Sequence, residues 1–267
     1  MSKNDDAQVG RILSRREALQ VIGVTGAAFL AGCAPRIAPG TEILGGTTVG
    51  ATGAPSAVAL STGTSAPLPA CIVRPEMTEG PYFVDARLNR SDIRSDPTTG
   101  EVRAGWPLEL VFRVMRIASE GCLPLAEAMV DVWHCDALGV YSDVADPGFD
   151  TSGQLFLRGF QVTDGGGVAR FQSIYPGWYP GRTVHIHFKI RAEAGNGAAY
   201  EFTSQLFFDD ALSDAVFARA PYAAKGERGV RNADDGIYRS GGEQLLLAPI
   251  EAAEGYSAFF DIGLQID

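Results

Sequence analysis

The chain has no run of about 20 apolar residues, the length a membrane-crossing helix needs, and no cluster of basic residues. The first absence excludes a spanning helix. The second removes the electrostatic footprint of a nucleic-acid binder. Long helical periods are missing too, since 15 prolines and 32 glycines are spread along 267 residues. Histidine is scarce: three occur in the whole chain, and two of them, His185 and His187, stand two positions apart.

Something is nevertheless present at the N-terminus. Ser14-Arg15-Arg16-Glu17-Ala18-Leu19 precedes an apolar stretch from Val21 to Leu30, followed by Leu30-Ala31-Gly32-Cys33. Twin arginines before a short apolar stretch read as a Tat export signal. The small residues before Cys33 resemble a bacterial lipobox, which predicts cleavage before Cys33 and lipidation of its sulfur. Residues 1–32 are therefore expected to be removed, leaving an exported protein of the cell envelope that is anchored to a membrane. Removal takes four basic and three acidic residues from totals of 22 and 32, so the mature charge is −11. That acidity favours neutral or aromatic small molecules over polyanions.

Residues 33–70 are rich in Ala, Gly, Thr, Ser and Pro, with Arg36 and Glu42 their only charges. This is linker composition, too poor in large apolar groups to pack. From Cys71 the texture becomes short strand-like runs punctuated by turn residues. Expected strands are 107–117, 126–133, 154–163, 168–174, 184–191, 200–208 and 256–265. Asp164-Gly-Gly-Gly167 reads as a hairpin joining the third and fourth, and 211–224 as one short helix. So many short strands predict an all-β domain over 71–267, an antiparallel sandwich of two sheets. The export route permits one disulfide. Cys122 and Cys135 flank an expected straight strand, too far apart to bridge, so Cys71 pairs with one or the other.

In a strand, alternate side chains share a face, so His185 and His187 point the same way, roughly 6–7 Å apart at Cβ. Two imidazoles at that spacing can converge on one metal. A third histidine beside them would suggest zinc. The ionisable neighbours here are tyrosines, and phenolates are hard anionic donors that favour a highly charged ion such as ferric iron.

Four pieces occur in order: Trp133 with Gly139-Val140-Tyr141; Thr163-Asp164 with Gly167; Pro176-Gly177-Trp178-Tyr179-Pro180; and Arg182-Thr183-Val184-His185-Ile186-His187-Phe188. Together they resemble the intradiol ring-cleavage dioxygenases, in particular the protocatechuate 3,4-dioxygenase-like branch with exported or lipid-anchored members, over about residues 71–265. The resemblance implies non-haem Fe(III) held by Tyr141, Tyr179, His185 and His187. It implies catalytic roles for Arg182 and Tyr141, and substrate contacts by Gln205, Tyr82 and Trp178. The implied partners are a catechol-type molecule and O2. Cleavage between the two hydroxylated carbons is expected to give a muconate-type diacid, with Arg182 stabilising developing negative charge. Five residues separate Tyr179 from His185, fewer than the resemblance leads one to expect, which shortens a pocket wall and opens the site to bulkier catechols.

The alternatives are specific. Tyr175 could replace Tyr179, but the Pro-Gly-x-Tyr-Pro context selects Tyr179. His134 is expected to be a structural hydrogen-bonder, since it would make a fifth protein ligand. A ferrous extradiol centre wants two histidines and a carboxylate, and no acidic residue lies between Tyr179 and His187. A sandwich that binds aromatics or sugars without catalysis is the remaining alternative. The sequence leaves a homo-oligomer open.

Overall fold

The computed structural model describes residues 71–266 apart from Glu120. The expected signal segment, Cys33 and the linker to residue 70 lie outside the described residues. Among the described residues no helix is long and apolar enough to cross a membrane.

The strands are β1 (Pro107–Ala118), β2 (Gly121–Pro124), β3 (Met129–Trp133), β4 (Ala145–Asp146), β5 (Phe149–Asp150), β6 (Arg158–Val162), β7 (Val168–Ile174), β8 (His185–Glu193), β9 (Ala199–Phe207), β10 (Ile250–Ala252) and β11 (Gly255–Leu264). Among the described residues two short helices, α1 (Asp210–Phe217) and α2 (Gly236–Arg239), interrupt them. One sheet runs β10-β11-β1-β2, with β7 also paired to β1. The other runs β6-β3-β8-β9 and is antiparallel throughout. The expected all-β sandwich is present, with one parallel pair inside it: β1 and β11 run side by side from Leu108/Tyr256 to Arg116/Leu264. A parallel pair needs a long connection, and here nearly the whole domain provides it.

Alternation explains β1 and β8. Leu108, Leu110, Phe112 and Val114 of β1 join Ile186, Phe188 and Ile190 of β8 in one core. Phe112 lies 5.3 Å from Phe188 and 5.8 Å from Phe260 between ring centroids, which ties the sheets together. Burying each such side chain contributes about 1.5–3 kcal/mol. Pro107 is tolerated because it opens its strand. Helix α1 starts at Asp209, whose carboxylate accepts the N–H groups of Ala211 and Leu212. The expected helix over 211–224 stops at Phe217, and a separate 3₁₀ turn covers Tyr222–Lys225.

Two expectations need correction. The turn at Asp164–Gly167 forms, with Asp164 Oδ1 accepting from the Gly166 and Val168 N–H groups, but it does not close a hairpin. β6 pairs with β3, whereas β7 pairs with β1, so this turn carries the chain from one sheet to the other. Its backbone is claimed by β1: the Val114 N–H donates to the Gly167 carbonyl at 2.8 Å. The strand expected over 154–163 begins only at Arg158, because Leu157 takes a left-handed φ of 53° that ends extended structure on its N-terminal side. The open disulfide choice resolves as Cys71–Cys122, with Cα atoms 5.6 Å apart, and Cys135 is free and buried.

Candidate metal centre

Sheet register sets the site. Trp133, His187 and Gln205 lie directly across from one another on β3, β8 and β9, and His185 follows across from Phe207. This is the face of the sheet turned away from the core. All six residues from His185 to Ile190 are nonetheless buried, because the chain around residues 77–83 covers that face. Lys189 fastens the cover: it is ion-paired with Glu79 and Glu201 and lies 4.3 Å over the Phe83 ring.

Two loops bring the tyrosines. Tyr141 follows β3 in a turn organised by Asp136, whose Oδ1 accepts from the Leu138 and Val140 N–H groups. Thr151 donates from Oγ1 to the Tyr141 carbonyl at 2.7 Å. Tyr179 lies in the loop between β7 and β8, and the Gly177 N–H donates to the Asp136 carbonyl at 3.0 Å. The loops touch so closely that a Cβ at Gly177 would lie 2.5 Å from the Asp136 oxygen, and one at Gly139 would meet the Trp178 carbonyl at 2.2 Å. Glycine is the residue both positions admit.

Polar atoms converge at the centre. Tyr179 Oη lies 3.0 Å from His185 Nε2, which lies 3.1 Å from His187 Nε2. The Tyr141 ring stands 5.7 Å from Tyr179 and 6.3 Å from His187 between centroids. His185 donates from Nδ1 to the Thr183 carbonyl at 2.6 Å, so its Nε2 presents a lone pair to the cluster. Trp133 lies parallel to the His187 ring, 5.0 Å away, and fixes its plane. The buried Tyr141 Oη and His187 Nδ1 have no hydrogen-bond partner.

Burial governs the electrostatics. It lifts Tyr141 and Tyr179 above the ordinary phenol range and drops His185 and His187 well below the ordinary imidazole range. The imidazoles are therefore neutral and ready as ligands. A cation placed among the oxygens would oppose the burial effect and favour the phenolates. Two phenol oxygens that can ionise, one of them the orphaned Tyr141 Oη, and two neutral nitrogens make a donor set that fits a hard, highly charged ion. Among the described residues no three His, Cys, Asp or Glu side chains gather as a metal site, so the two-histidine, one-carboxylate arrangement of an extradiol centre is not built here.

The other expected residues take definite places. Tyr82 stacks on Tyr141 at 4.5 Å, stands edge-on to Tyr179 at 6.3 Å, and donates to Asp146 Oδ2 at 2.8 Å. Arg182 donates from Nη2 to Gln205 Oε1 at 2.6 Å, and Gln205 Nε2 donates to the Thr78 carbonyl at 2.9 Å. Trp178 is half-buried with the Lys225 ammonium 4.9 Å over its ring, beside the Tyr141 loop. Tyr175 faces the core, with its hydroxyl 2.8 Å from Ser213 Oγ. His134 bonds the Cys135 carbonyl and Ser173 Oγ at 2.8 and 2.7 Å, which is a structural role.

Sequence reasoning passed over Asp235, which is 2 % exposed and accepts from Arg182 Nε at 2.8 Å. Burial pushes its carboxyl pKa up, but the Arg182 charge and several N–H donors outweigh that and hold it below the ordinary value. An Asp-Gly-Ile run at 235–237 is a helix-start signal, but nothing in it points to a residue 53 positions upstream.

The chain is similar to known dioxygenases. A family model described as Dioxygenase matches residues 78–234. The chain is 32% identical over 142 residues to the protocatechuate 3,4-dioxygenase beta chain of Burkholderia cepacia, covering 49% of this chain and 59% of that one. It is 30% identical over 139 residues to catechol 1,2-dioxygenase 2 of Acinetobacter lwoffii, covering 44% and 46%. The matches thus span about half the length of these curated relatives. An intradiol ring-cleavage dioxygenase from Tetranychus urticae superposes with a TM-score of 0.63 at 29% identity, covering 73% of this chain and 95% of that one.

Proposed function

The chain belongs to the intradiol ring-cleavage dioxygenase family, and from that premise we propose that it opens the ring of a catechol-type aromatic. O2 adds between the two hydroxylated carbons, both oxygen atoms enter the product, and a muconate-type diacid results. The observation that carries this reading is the convergence of Tyr179 Oη and the His185 and His187 Nε2 atoms within 3.0–3.1 Å steps, beside the unpartnered Tyr141 Oη. These four residues would hold non-haem ferric iron. Bound there, the ion would supply Lewis acidity that makes a catechol ring reactive toward O2.

The remaining residues bind and orient. The Tyr82 ring, fixed by its bond to Asp146, forms a wall against which an aromatic substrate packs. Arg182 offers a guanidinium, steadied by Gln205, to negative charge that develops as the ring opens. The stacked Trp133 keeps His187 in its ligand orientation. The twin-arginine and Leu-Ala-Gly-Cys33 motifs support export with lipid attachment at Cys33, and with it a reaction in the cell envelope. The names of the two curated relatives support a catechol nucleus. The five-residue spacing from Tyr179 to His185 supports tolerance of bulky ring substituents.

The test is to express the full chain with iron, record its visible spectrum and follow oxygen uptake over a panel of catechols. A tyrosinate-to-iron charge-transfer band and uptake with at least one catechol are expected, and Tyr179→Phe should shift or bleach the band. Colourless protein with stoichiometric zinc and no uptake would sink the proposal.

A further inference from the structure

Asp235 lies one residue beyond the family match, at the start of α2. Its two oxygens divide their work. Oδ1 accepts from the Ile237 and Tyr238 N–H groups at 2.7 and 3.1 Å, which caps the helix. Oδ2 accepts from Arg182 Nε and from the Thr183 N–H, both at 2.8 Å. A cap needs one acceptor atom, which serine or asparagine supplies as well as aspartate. The second oxygen, turned to a guanidinium and a backbone donor 52 and 53 positions upstream, is surplus to capping.

That surplus falls on the dipeptide leading into the metal centre. Arg182 is held on two sides, by Asp235 at Nε and by Gln205 at Nη2, so the guanidinium plane is fixed. Thr183 is held at its N–H by Asp235 and at Oγ1 by Asn232 Oδ1, at 2.6 Å. Its carbonyl accepts from His185 Nδ1. With Arg182 only 17% exposed at its side chain and Asp235 1%, the pair is shielded enough for the bond to hold position.

We propose that Asp235 is a positioning residue that aims the Arg182 guanidinium at the reaction centre, acting on turnover through Arg182 and not through the fold of α2. This rests on the reading of Arg182 as the group that meets developing charge. Asn at 235 keeps size and cap but turns an NH2 toward two donors. Ser keeps the cap and reaches neither Arg182 nor Thr183.

Oxygen uptake by the iron-loaded full chain decides the matter when wild type, Asp235→Asn, Asp235→Ser, Arg182→Ala and the Arg182→Ala/Asp235→Asn double variant are compared. Each Asp235 variant should lose about 10²-fold in kcat, the scale of a misplacement near 1 Å, while the charge-transfer band stays in place. On the Arg182→Ala background the same change should cost less than about twofold, because coupled residues are not additive. In metal-free chain the Arg182 Nε–H proton should exchange slowly in wild type and fast in both variants. Equal losses on both backgrounds, full turnover in Asp235→Ser, or unchanged Nε–H exchange would each overturn the proposal. If Asp235→Asn does not fold, Asp235→Ser, with its cap intact, carries the comparison. If the wild type itself takes up no oxygen, the ring-cleavage reading fails instead, and the exchange measurement still decides the clamp.

Discussion

The two sheets share an inner face of aliphatic and phenyl side chains but differ on their outer faces. On β11, Ser257, Phe259 and Asp261 point outward and are more exposed than their neighbours, and Phe259 is 47% exposed. That sheet follows the ordinary rule for a sandwich, apolar inside and mixed outside. On β8 the outward residues His185, His187 and Lys189 are as buried as the inward Ile186, Phe188 and Ile190. There Lys189 is paired with Glu79 and Glu201, and the two histidines turn their Nε2 atoms toward the cluster of Tyr141 and Tyr179, with His187 Nδ1 left unpaired. One sheet is a scaffold with a wet back; the other carries the candidate metal centre where a scaffold would have solvent.

The largest effect expected from breaking this division is His185→Ala. Changes to groups that merely support metal ligands cost 10–100-fold, so loss of this proposed ligand should cost at least about 10²-fold in turnover and bleach the visible band. Far-ultraviolet circular dichroism should remain that of the folded protein. Phe112→Ala should do the reverse. It removes a ring that touches Phe171, Phe188 and Phe260, and should lower unfolding free energy by about 3–5 kcal/mol. Urea titration measures this, and turnover per folded molecule should persist.

The smallest effect lies on the outer face of the second sheet, at Asp131. Burial raises its pKa to about 6, against the nearby Arg191, which lowers it. The folded state therefore keeps the proton to higher pH than the unfolded chain does. Stability from this group is full below about pH 4 and is lost as pH rises through about 6. Asp131→Asn should flatten that fall and raise stability at pH 7 by about 1–3 kcal/mol, read from urea midpoints at pH 4 and pH 7. A variant that is no more stable at pH 7 would show that Arg191 already compensates the buried charge.

Local pattern made most of this legible. The strands at 107–117, 168–174, 184–191, 200–208 and 256–265 appear close to their expected bounds, because alternation and β-branched content agree with burial there. The strand expected from 126 begins at Met129, since Glu127 adopts φ 64°. His185 and His187 stood out because they share one strand face two positions apart, whereas Tyr141 and Tyr179 were legible only through the family resemblance carried by Gly139-Val140-Tyr141 and Pro176-Gly177-Trp178-Tyr179-Pro180. What escaped was long-range: the Asp164–Gly167 turn looks the same locally whether its strands pair or part. Asp235 escaped for the same reason, as did the choice of Cys122 over Cys135 as partner of Cys71.

The entry of the chain into the domain has a mechanical consequence. Cys71 is bonded to Cys122 in β2, the Ile72 carbonyl accepts from the Gly263 N–H in β11, and Arg74 Nε donates to the Asp261 carbonyl. A pull on the segment preceding residue 71 is therefore taken up first as load on the sheet containing β1, β2 and β11. Force would reach the histidine strand only after those fastenings gave way, so the pocket around His185 and His187 stays in register while they hold.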